Sequence, residues 1–280
     1  MPPDDALPAK TWRASLALEF ERRGGRSVLA SRRHDGPLVV QKSLHPEGEE
    51  VCHAIVVHPP AGIAGGDELE VAIRAHRGAN ALLTTPGAGK WYRSAGAWAS
   101  QRVVIDADAG SCVEWLPQET IVYDAALADI RWEARLAADA RLIAWDIVCL
   151  GRTGSGEGFG KGRCRIETRV VRDARLCWAE RGRVDPGSLV ASSPAGLAGA
   201  PVLGTMIAAA PTIDDATLAA CRELAPLRGE CGVTRLPGLL VARIRGDSTE
   251  AARNYFAALW KRLRPSIAGR EAIEPRIWRT

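Results

Sequence analysis

The stretch "RVVIDADAGSCVEWL", residues 102–116, contains two apolar runs separated by a glycine turn. In the first run, Val103 and Ile105 fall on one parity, whereas Val104 and Asp106 fall on the other. A period of two residues places successive side chains on opposite faces of a strand and is typical of β-structure. The stretch therefore predicts a strand, a turn and a second strand.

This pattern recurs along the middle of the chain. A turn-prone Gly or Asp-Ala precedes an apolar alternation in "RGANALL" (77–83), "DAGSCVEW" (108–115), "ADARLIAW" (138–145) and "RDARLCW" (172–178). The turn residues are about 30 residues apart, a period at which stacked repeat units bury a face on their neighbours; they are Gly78, Gly110, Asp139 and Asp173. We therefore expect a mainly β protein, built as a β-solenoid or as layered antiparallel sheets.

Two α-helices are expected in the C-terminal third. Residues 212–224 begin with acidic side chains, which interact favourably with the positive end of the helix dipole. Residues 248–264 have Ser248 or Thr249 as a candidate N-cap, and Pro265 is expected to end this helix. The segment between the two helices alternates as a strand.

Composition limits the class of protein. With 46% hydrophobic and 25% charged residues, the chain is typical of globular proteins. We expect one domain over residues 1–280, with weak strand repeats at 77–180 and a helical and strand part at 212–280. The basic surplus in residues 261–280 alone equals the formal net charge of +4. The remainder is neutral, so nucleic acid is not an expected partner.

The location of the protein is predicted from three negative features. Seven cysteines without a C-x-x-C spacing indicate neither a disulfide framework nor a zinc knuckle. The N-terminal segment carries Asp4 and Asp5 and lacks the apolar stretch of a signal peptide. The uncharged segment 186–213 is rich in Pro and Gly, which predicts loop and buried strand, not a membrane span. A cytoplasmic protein without a membrane partner is expected.

The stretch "LLTTPGAGKWYRS", residues 82–94, matches half of a phosphate-binding loop. Gly89 and Lys90 fit the end of G-x-x-x-x-G-K-[ST], but Thr84 replaces the first Gly and Trp91 replaces the Mg²⁺-binding hydroxyl. No Ser-His-Asp, Cys-His or G-x-S-x-G arrangement supplies a nucleophile. The protein is predicted not to be an enzyme, and a nucleotide-dependent activity at Lys90 is the less favoured hypothesis.

Candidate metal-ligating side chains lie beside Gly- and Pro-containing turns. Oxygen atoms in such places suit cation contacts, general acid and base chemistry, or simple solvation of a turn. The residues are His58 and Asp67 in "HPPAGIAGGDELEV" (58–71), Glu114, Glu119 and Asp124 in "EWLPQETIVYD" (114–124), and Glu157 in "GRTGSGEGFGKGR" (151–163).

Six motifs, in this order, resemble the urease accessory protein UreD family, called UreH in some organisms. They are "HPPAGIAGGD" (58–67), "LLTTPGAGKWYRS" (82–94), "EWLPQETIVYD" (114–124), "LGRTGSGEGF" (150–159), "GVTRLPGLLVARIRGD" (232–247) and "PRIW" (275–278). The resemblance runs from about residue 10 to the last residue. It implies a mainly β, non-enzymatic scaffold and chaperone for urease maturation. Such a protein forms a complex with UreF and the GTPase UreG, docks on apo-urease and conducts nickel to its active site, so GTP belongs to a partner.

The resemblance also implies site residues. A conduit must bind Ni²⁺ weakly and repeatedly, and scattered carboxylates with a His suit this better than a closed cage. The implied nickel contacts are His58, Asp67, Glu114, Glu119, Asp124 and Glu157. The expected partner contacts are Lys90, Tyr92, Arg93, Trp260 and Trp278, although the two tryptophans suit a hydrophobic core as well. Transient Ni²⁺ is expected, with no permanently bound cofactor. The alternative is a β-solenoid module that only bridges partners and has no direct metal role.

Overall fold

The computed structural model describes residues 11–279, so Asp4 and Asp5 lie outside it. Within these residues the strands are β1 (Arg13–Arg23), β2 (Arg26–Asp35), β3 (Val39–Leu44), β4 (Cys52–Val57), β5 (Glu68–Ala75), β6 (Asn80–Thr84), β7 (Gly89–Trp91), β8 (Ala99–Ala107), β9 (Cys112–Trp115), β10 (Thr120–Val122), β11 (Leu127–Leu136), β12 (Arg141–Leu150), β13 (Arg163–Arg172), β14 (Arg175–Val184), β15 (Val202–Ala209), β16 (Glu230–Leu236) and β17 (Leu239–Gly246). The helices are α1 (Leu189–Ser192), α2 (Asp215–Arg222) and α3 (Thr249–Ala268), with 3-10 turns at Thr153–Ser155 and Arg276–Arg279.

The strands form two sheets that pack face to face. The smaller sheet has the order β14-β13-β11-β8-β5-β1-β2, and the larger has the order β16-β17-β15-β12-β9-β6-β4-β3, with β10 between β12 and β7. The central strands of both sheets are parallel. Successive rungs each contribute one strand to each sheet: β4 and β5, β6 and β8, β9 and β11, β12 and β13. The repeat is therefore a β-solenoid, and antiparallel strands extend it at both ends.

The turn that closes each rung lies on the turn of its neighbour. Gly78 donates its backbone N–H to the carbonyl of Ala109 at 3.0 Å, and Gly110 donates to Asp139 Oδ1 at 2.9 Å. Both glycines have φ of +70°, a left-handed conformation that favours glycine. The spacing of these turns in the sequence thus corresponds to one rung of the solenoid.

Two hydrophobic cores lie on opposite faces of the larger sheet. The first core fills the space between the sheets and includes Phe20 and Ile105, both fully buried. The second lies between the larger sheet and helices α2 and α3, and includes Trp145, Phe256 and Trp260. Because both faces of the larger sheet are covered, its strand β12 is apolar almost throughout.

The helical part largely agrees with prediction. The side chains of Asp214 and Ser248 cap α2 and α3 by accepting the N–H groups of Thr217 and Ala251. The prediction that Pro265 ends α3 was wrong. The helix continues to Ala268 and closes at Gly269, since a proline in the last turns removes only one backbone donor.

The segment 186–213 contains the predicted buried strand, β15, and also the four-residue helix α1. Among the described residues all three α-helices therefore lie in the C-terminal third, one more than the two that were predicted. Across residues 11–279, no helix is both long enough and apolar enough to span a bilayer.

Candidate functional site

The segments that connect the two sheets stack on one side of the solenoid. We call this side the crossover face and define it by residues 58–67, 89–94, 120–124 and 151–161. Trp91 pairs with Ile63 on one side and Val122 on the other, and Val122 pairs with Leu150. All four side chains point into the core. Motifs that are distant in sequence thus form one continuous surface.

Lys90 lies on this face within strand β7. A phosphate-binding loop needs the N-terminus of a helix behind its glycines, whereas here the next element is strand β8. Trp91 is only 1% exposed and belongs to the core. The half-motif at residues 82–94 is therefore a rung of the solenoid and not a phosphate-binding loop.

Two of the predicted nickel contacts hold backbone turns. Asp67 accepts hydrogen bonds from the backbone N–H of Ala64 at 2.8 Å and of Trp12 at 3.1 Å. Asp124 Oδ1 accepts from the N–H of Gly160 at 2.8 Å and of Lys161 at 2.7 Å. These carboxylates fix the shape of the crossover face.

The remaining predicted contacts on this side are also dispersed. Burial lowers the pKa of His58, and the nearby carboxylate of Asp67 partly opposes this shift. Glu157 pairs with Arg152 at 2.5 Å, and one oxygen of Glu119 lies 3.5 Å from Arg253.

Across the described chain, no three His, Cys, Asp or Glu side chains lie close enough together to hold one metal ion. The six predicted nickel contacts do not converge, and their role in transient contact stays a prediction.

Glu114 belongs to a buried ionic network on the helical side of the larger sheet. Arg264 on α3, with no exposed side-chain surface, donates to Glu114 at 2.9 Å and to Glu47 at 2.6 Å. Trp260 Nε1 donates to the second oxygen of Glu114 at 2.5 Å, and His53 Nε2 lies 2.5 Å from Glu47. This network connects α3, two strands and the loop before β4.

The network favours the ionised form of Glu47. Burial acts to raise the pKa of Glu47, but hydrogen bonds from His53 and Arg264 outweigh it and lower the pKa to about 2. The neighbouring carboxylates in turn raise the pKa of Arg264, although burial opposes them. A buried arginine that bridges two carboxylates is costly to disturb, because each lost partner leaves an unpaired buried charge.

The two predicted aromatic contacts lie in or against the second core. Trp260 is completely buried, so it presents no surface to a partner. Trp278 donates its indole N–H to Thr84 Oγ1 at 2.8 Å, and its ring lies 5.7 Å from Trp145 and 5.6 Å from Trp260 between centroids. The C-terminal "PRIW" segment thus packs against strand β6, which ends at Thr84 in the "LLTT" motif.

A cavity of about 540 Å³ lies between the two sheets, where strands of the antiparallel end face each other. Polar side chains from both sheets line it, among them Asp146 on β12, Glu180 on β14 and Arg243 on β17. A second cavity of about 440 Å³ shares Val184 and Leu197 with the first and lies beneath the glycine-rich loop, where Glu157 lines it. The two cavities are adjacent.

Asp146 is the unusual group of the first cavity. Its Oδ2 atom is buried and has no hydrogen-bond partner. Burial raises the pKa of Asp146 to about 7; a hydrogen bond from Trp132 opposes this shift, and the carboxylate of Glu180 adds to it. Glu180 itself pairs with Arg243 at 2.8 Å. A carboxylate with a free oxygen in a cavity suits weak contact with a cation.

The sequence analysis missed Asp146, Glu180 and Arg243. The available signal was Asp146, the lone acid of the apolar strand "RLIAWDIVCL". A buried strand with a single carboxylate indicates a polar contact or a functional group.

The fold and these cavities define the class as a β-solenoid with stacked crossover segments and a cavity lined by both carboxylates and arginines. A family model described as "UreD urease accessory protein" matches residues 13–279. The chain belongs to this family.

Named urease accessory proteins are similar to the chain over nearly its whole length. "Urease accessory protein UreD" from Azoarcus sp. (strain BH72) is 56% identical over 269 residues, covering 96% of this chain and 94% of the relative. That from Dechloromonas aromatica (strain RCB) is 53% identical over 274 residues, covering 96% and 95%. That from Pseudomonas aeruginosa is 48% identical over 270 residues, covering 96% and 95%. Family membership supports a role in urease maturation.

Proposed function

We propose that this chain is a non-catalytic scaffold that docks on apo-urease with UreF and UreG and passes nickel ions through its interior. The observation that carries the proposal is Asp146, a half-buried residue whose Oδ2 atom is buried and unpartnered in a cavity of about 540 Å³. Nickel is the cargo and not a resident cofactor, in agreement with the dispersed acidic side chains. Docking with UreF and UreG is supported by family membership alone.

The two adjacent cavities suggest a route for nickel ions through the chain. Glu157, in the glycine-rich loop, lines the second cavity. This cavity adjoins the first, which Asp146 and Glu180 line. Carboxylates that share a cavity with arginines hold a cation only weakly and without enclosing it, so that the ion is free to leave. A proton at Asp146 competes with the ion, because nickel binds the ionised form.

The proposal is tested by expressing the urease operon with and without this chain and measuring nickel in the purified urease. We expect urease without nickel when the chain is absent. Asp146→Asn and Glu180→Gln are expected to lower nickel incorporation while the complex with urease remains intact. Glu70→Gln, an exposed carboxylate on the outer face of the smaller sheet, is the matched control.

Two results would count against the proposal. Normal nickel incorporation without the chain would refute a role in maturation. Normal incorporation by both cavity variants in an intact complex would favour the alternative, in which the chain only bridges its partners.

A further inference from the structure

The connection between β14 and β15 differs from the other connections between the two sheets. Neighbouring segments of the crossover face bond to one another through their backbones, as where Tyr92 N–H donates to the carbonyl of Ile63 at 2.8 Å. Within residues 11–279, the connection at 186–200 makes no such bond to the adjacent crossover segment 151–161. Instead, both segments line the cavity of about 440 Å³. The bonded stack of crossovers therefore ends before this connection.

We call residues 186–200 the lid. They lead from β14 in the smaller sheet to β15 in the larger sheet, across the space between the sheets. Leu197, the one buried residue of the lid, lines both the cavity of about 540 Å³ and that of about 440 Å³. Val190 and Gly196 also line the first cavity, and Ala191 also lines the second. A displacement of the lid therefore opens both cavities at once.

The lid is folded on itself. Leu197 N–H donates to the carbonyl of Val190 at 2.8 Å, and Gly199 N–H donates to that of Ala191 at 2.8 Å. A Cβ atom at Gly196 would lie 2.2 Å from the carbonyl oxygen of Val190, so helix α1 and the turn that follows it pack closely. Because these backbone groups bond inside the segment, the lid is able to move without losing its structure.

Both ends of the lid are fixed, and a left-handed glycine lies close to each. Asp185, directly before the lid, pairs with arginines of β13 and β14. The carbonyl of Pro201, directly after it, accepts the last N–H of β12 at 2.8 Å. Gly187 has φ of +71° and Gly199 has φ of +78°. Glycine tolerates the changes in φ and ψ that a hinge requires.

A single side chain from outside holds the lid by hydrogen bonds within the described residues. Arg245 Nη1 donates to the carbonyls of Pro194 and Gly196, both at 2.6 Å, and its Nη2 donates to Glu230 at 2.7 Å. Hydrogen bonds from a charged donor are stronger than those between neutral groups. The lid has no charged side chain of its own, so it makes no ion pair.

From these observations we propose that the lid moves as one unit about Gly187 and Gly199, that Arg245 is its latch, and that its opening admits solutes to the cavity of Asp146. In the closed form, Asp146 Oδ2 is buried without a hydrogen-bond partner, which is unfavourable. Opening exposes this atom to water or to a cation. As a gate for nickel, the lid rests on the proposed function, whereas its movement does not.

The experiment measures access to the cavity in the full chain, without nickel. Thr168 on β13 lines this cavity and is 3% exposed. Thr168→Cys introduces a thiol of similar size there. The rate at which iodoacetamide alkylates this thiol reports the population of the open form. Mass spectrometry of peptides distinguishes position 168 from the native cysteines.

Three further substitutions are compared in the Thr168→Cys chain. Arg245→Ala removes the latch and should accelerate alkylation by about tenfold or more, because two charged hydrogen bonds are lost. Gly196→Ala, which forces the turns of the lid apart, should accelerate it too. Arg235→Ala is the matched control and should leave the rate unchanged. Arg235 likewise donates to the carbonyl of a loop residue and pairs with an exposed carboxylate, but it does not contact the lid.

Hydrogen exchange tests whether the lid moves as one unit. The amides of Leu197 and Gly199 bond inside the lid, so Arg245→Ala should change their exchange rates by no more than about twofold. Exchange that accelerates as strongly as alkylation would show that the lid unfolds, and it would overturn the proposal. Circular dichroism of each variant verifies the overall fold.

The outcomes separate this inference from the proposed function. Equal alkylation rates in all variants, or equal acceleration by Arg235→Ala, would overturn the inference. The proposed function would still stand, because nickel would then reach the interior by another opening. Conversely, normal nickel content of urease with both Asp146→Asn and Glu180→Gln would contradict the proposed function. Faster alkylation after removal of the latch would then still support the lid.

Discussion

Arg264 Nη2 lies 2.9 Å from Glu114 Oε1, although 150 positions separate the two residues in the chain. The first residue lies on α3 and the second on β9, so their ion pair fixes the helix to the larger sheet. The guanidinium of Arg264 also donates to Glu47, which lies in the loop before β4. Glu47 in turn is hydrogen-bonded to His53 on β4. The position of the C-terminal helix therefore depends on a polar contact inside an otherwise apolar core.

Removal of one carboxylate from this network should be strongly destabilising. Glu114→Ala leaves the indole of Trp260 and part of Arg264 without a partner, and we expect a loss of about 3–5 kcal/mol in the free energy of unfolding. Glu70→Ala is the control, because Glu70 and its partner Arg102 are both 56% exposed and 3.9 Å apart. That pair should be worth about 0–1 kcal/mol. Urea denaturation measures both, and equal losses would contradict the central role of the network.

Glu47 should make the free energy of unfolding depend on pH at acidic values. Its pKa is about 2 in the folded chain, against an ordinary value of 4.5, so its ionised form stabilises the fold. This contribution is complete above about pH 4.5 and is lost as the pH falls toward 2, because the unfolded chain binds the proton first.

The stability difference between the unmodified chain and Glu47→Gln should therefore shrink between about pH 4.5 and pH 2. Urea denaturation over this range measures it. A difference that does not change with pH would show that His53 and Arg264 do not lower the pKa of Glu47.

Asp146 should change the pH dependence of stability in the opposite direction to Glu47. Its pKa is raised to about 7 in the folded chain, so between about pH 4 and pH 7 the folded state binds a proton that the unfolded chain has released. Stability should therefore decline as the pH rises through this range. Asp146→Asn removes the ionisable group and should raise Tm at about pH 8, which corresponds to a gain on the order of 4 kcal/mol in the free energy of unfolding.

Thermal unfolding at several pH values measures this gain, which should fall to about zero near pH 4. Thr205→Val, at another position lining the same cavity, is the control for altered packing. A gain of equal size at both ends of the pH range would contradict the raised pKa of Asp146.

The hydrogen bond from Trp278 to Thr84 should couple the C-terminal segment to the larger sheet. Its length is 2.8 Å, and Thr84 is 1% exposed. Thr84→Val and Trp278→Phe should each destabilise the chain, and the double variant should cost about 1 kcal/mol less than the sum.

Thr84→Ser, which retains the hydroxyl, is the control for this cycle. Denaturant unfolding of all variants gives the coupling energy. Strict additivity of the two substitutions would show that the hydrogen bond contributes no stability.

Most of the fold was predictable from the local periodicity of apolar residues in the sequence. The alternation of Val103 and Ile105 against Val104 and Asp106 depends only on the two-residue period of a strand, and it predicted β8 correctly. The spacing of Gly78 and Gly110 reflects the length of one rung and was therefore also visible. The failure at Pro265 has a local cause too, because sequence rules for proline do not show where the helix finds its final cap.

The site was less predictable because its groups meet only after folding. The sequence supplied Asp67 and Asp124 as candidate ligands, but whether a carboxylate is free depends on which N–H groups lie opposite it. Both accept backbone hydrogen bonds in the structure. By contrast, the sequence did not single out Asp146, and only the facing sheet buries its Oδ2 atom without a hydrogen-bond partner.

The sequence by itself determined the family, the rungs of the solenoid and the start of α3, since each depends on residues near one another in the chain. Tertiary structure alone decided that Trp260 is buried, that Arg264 bridges Glu114 and Glu47, and that the crossover segments stack into one continuous face. Burial, pairing and surface charge are properties of groups brought together from distant positions. No local pattern encodes them, because the energy of a charge depends on every neighbour that folding places around it.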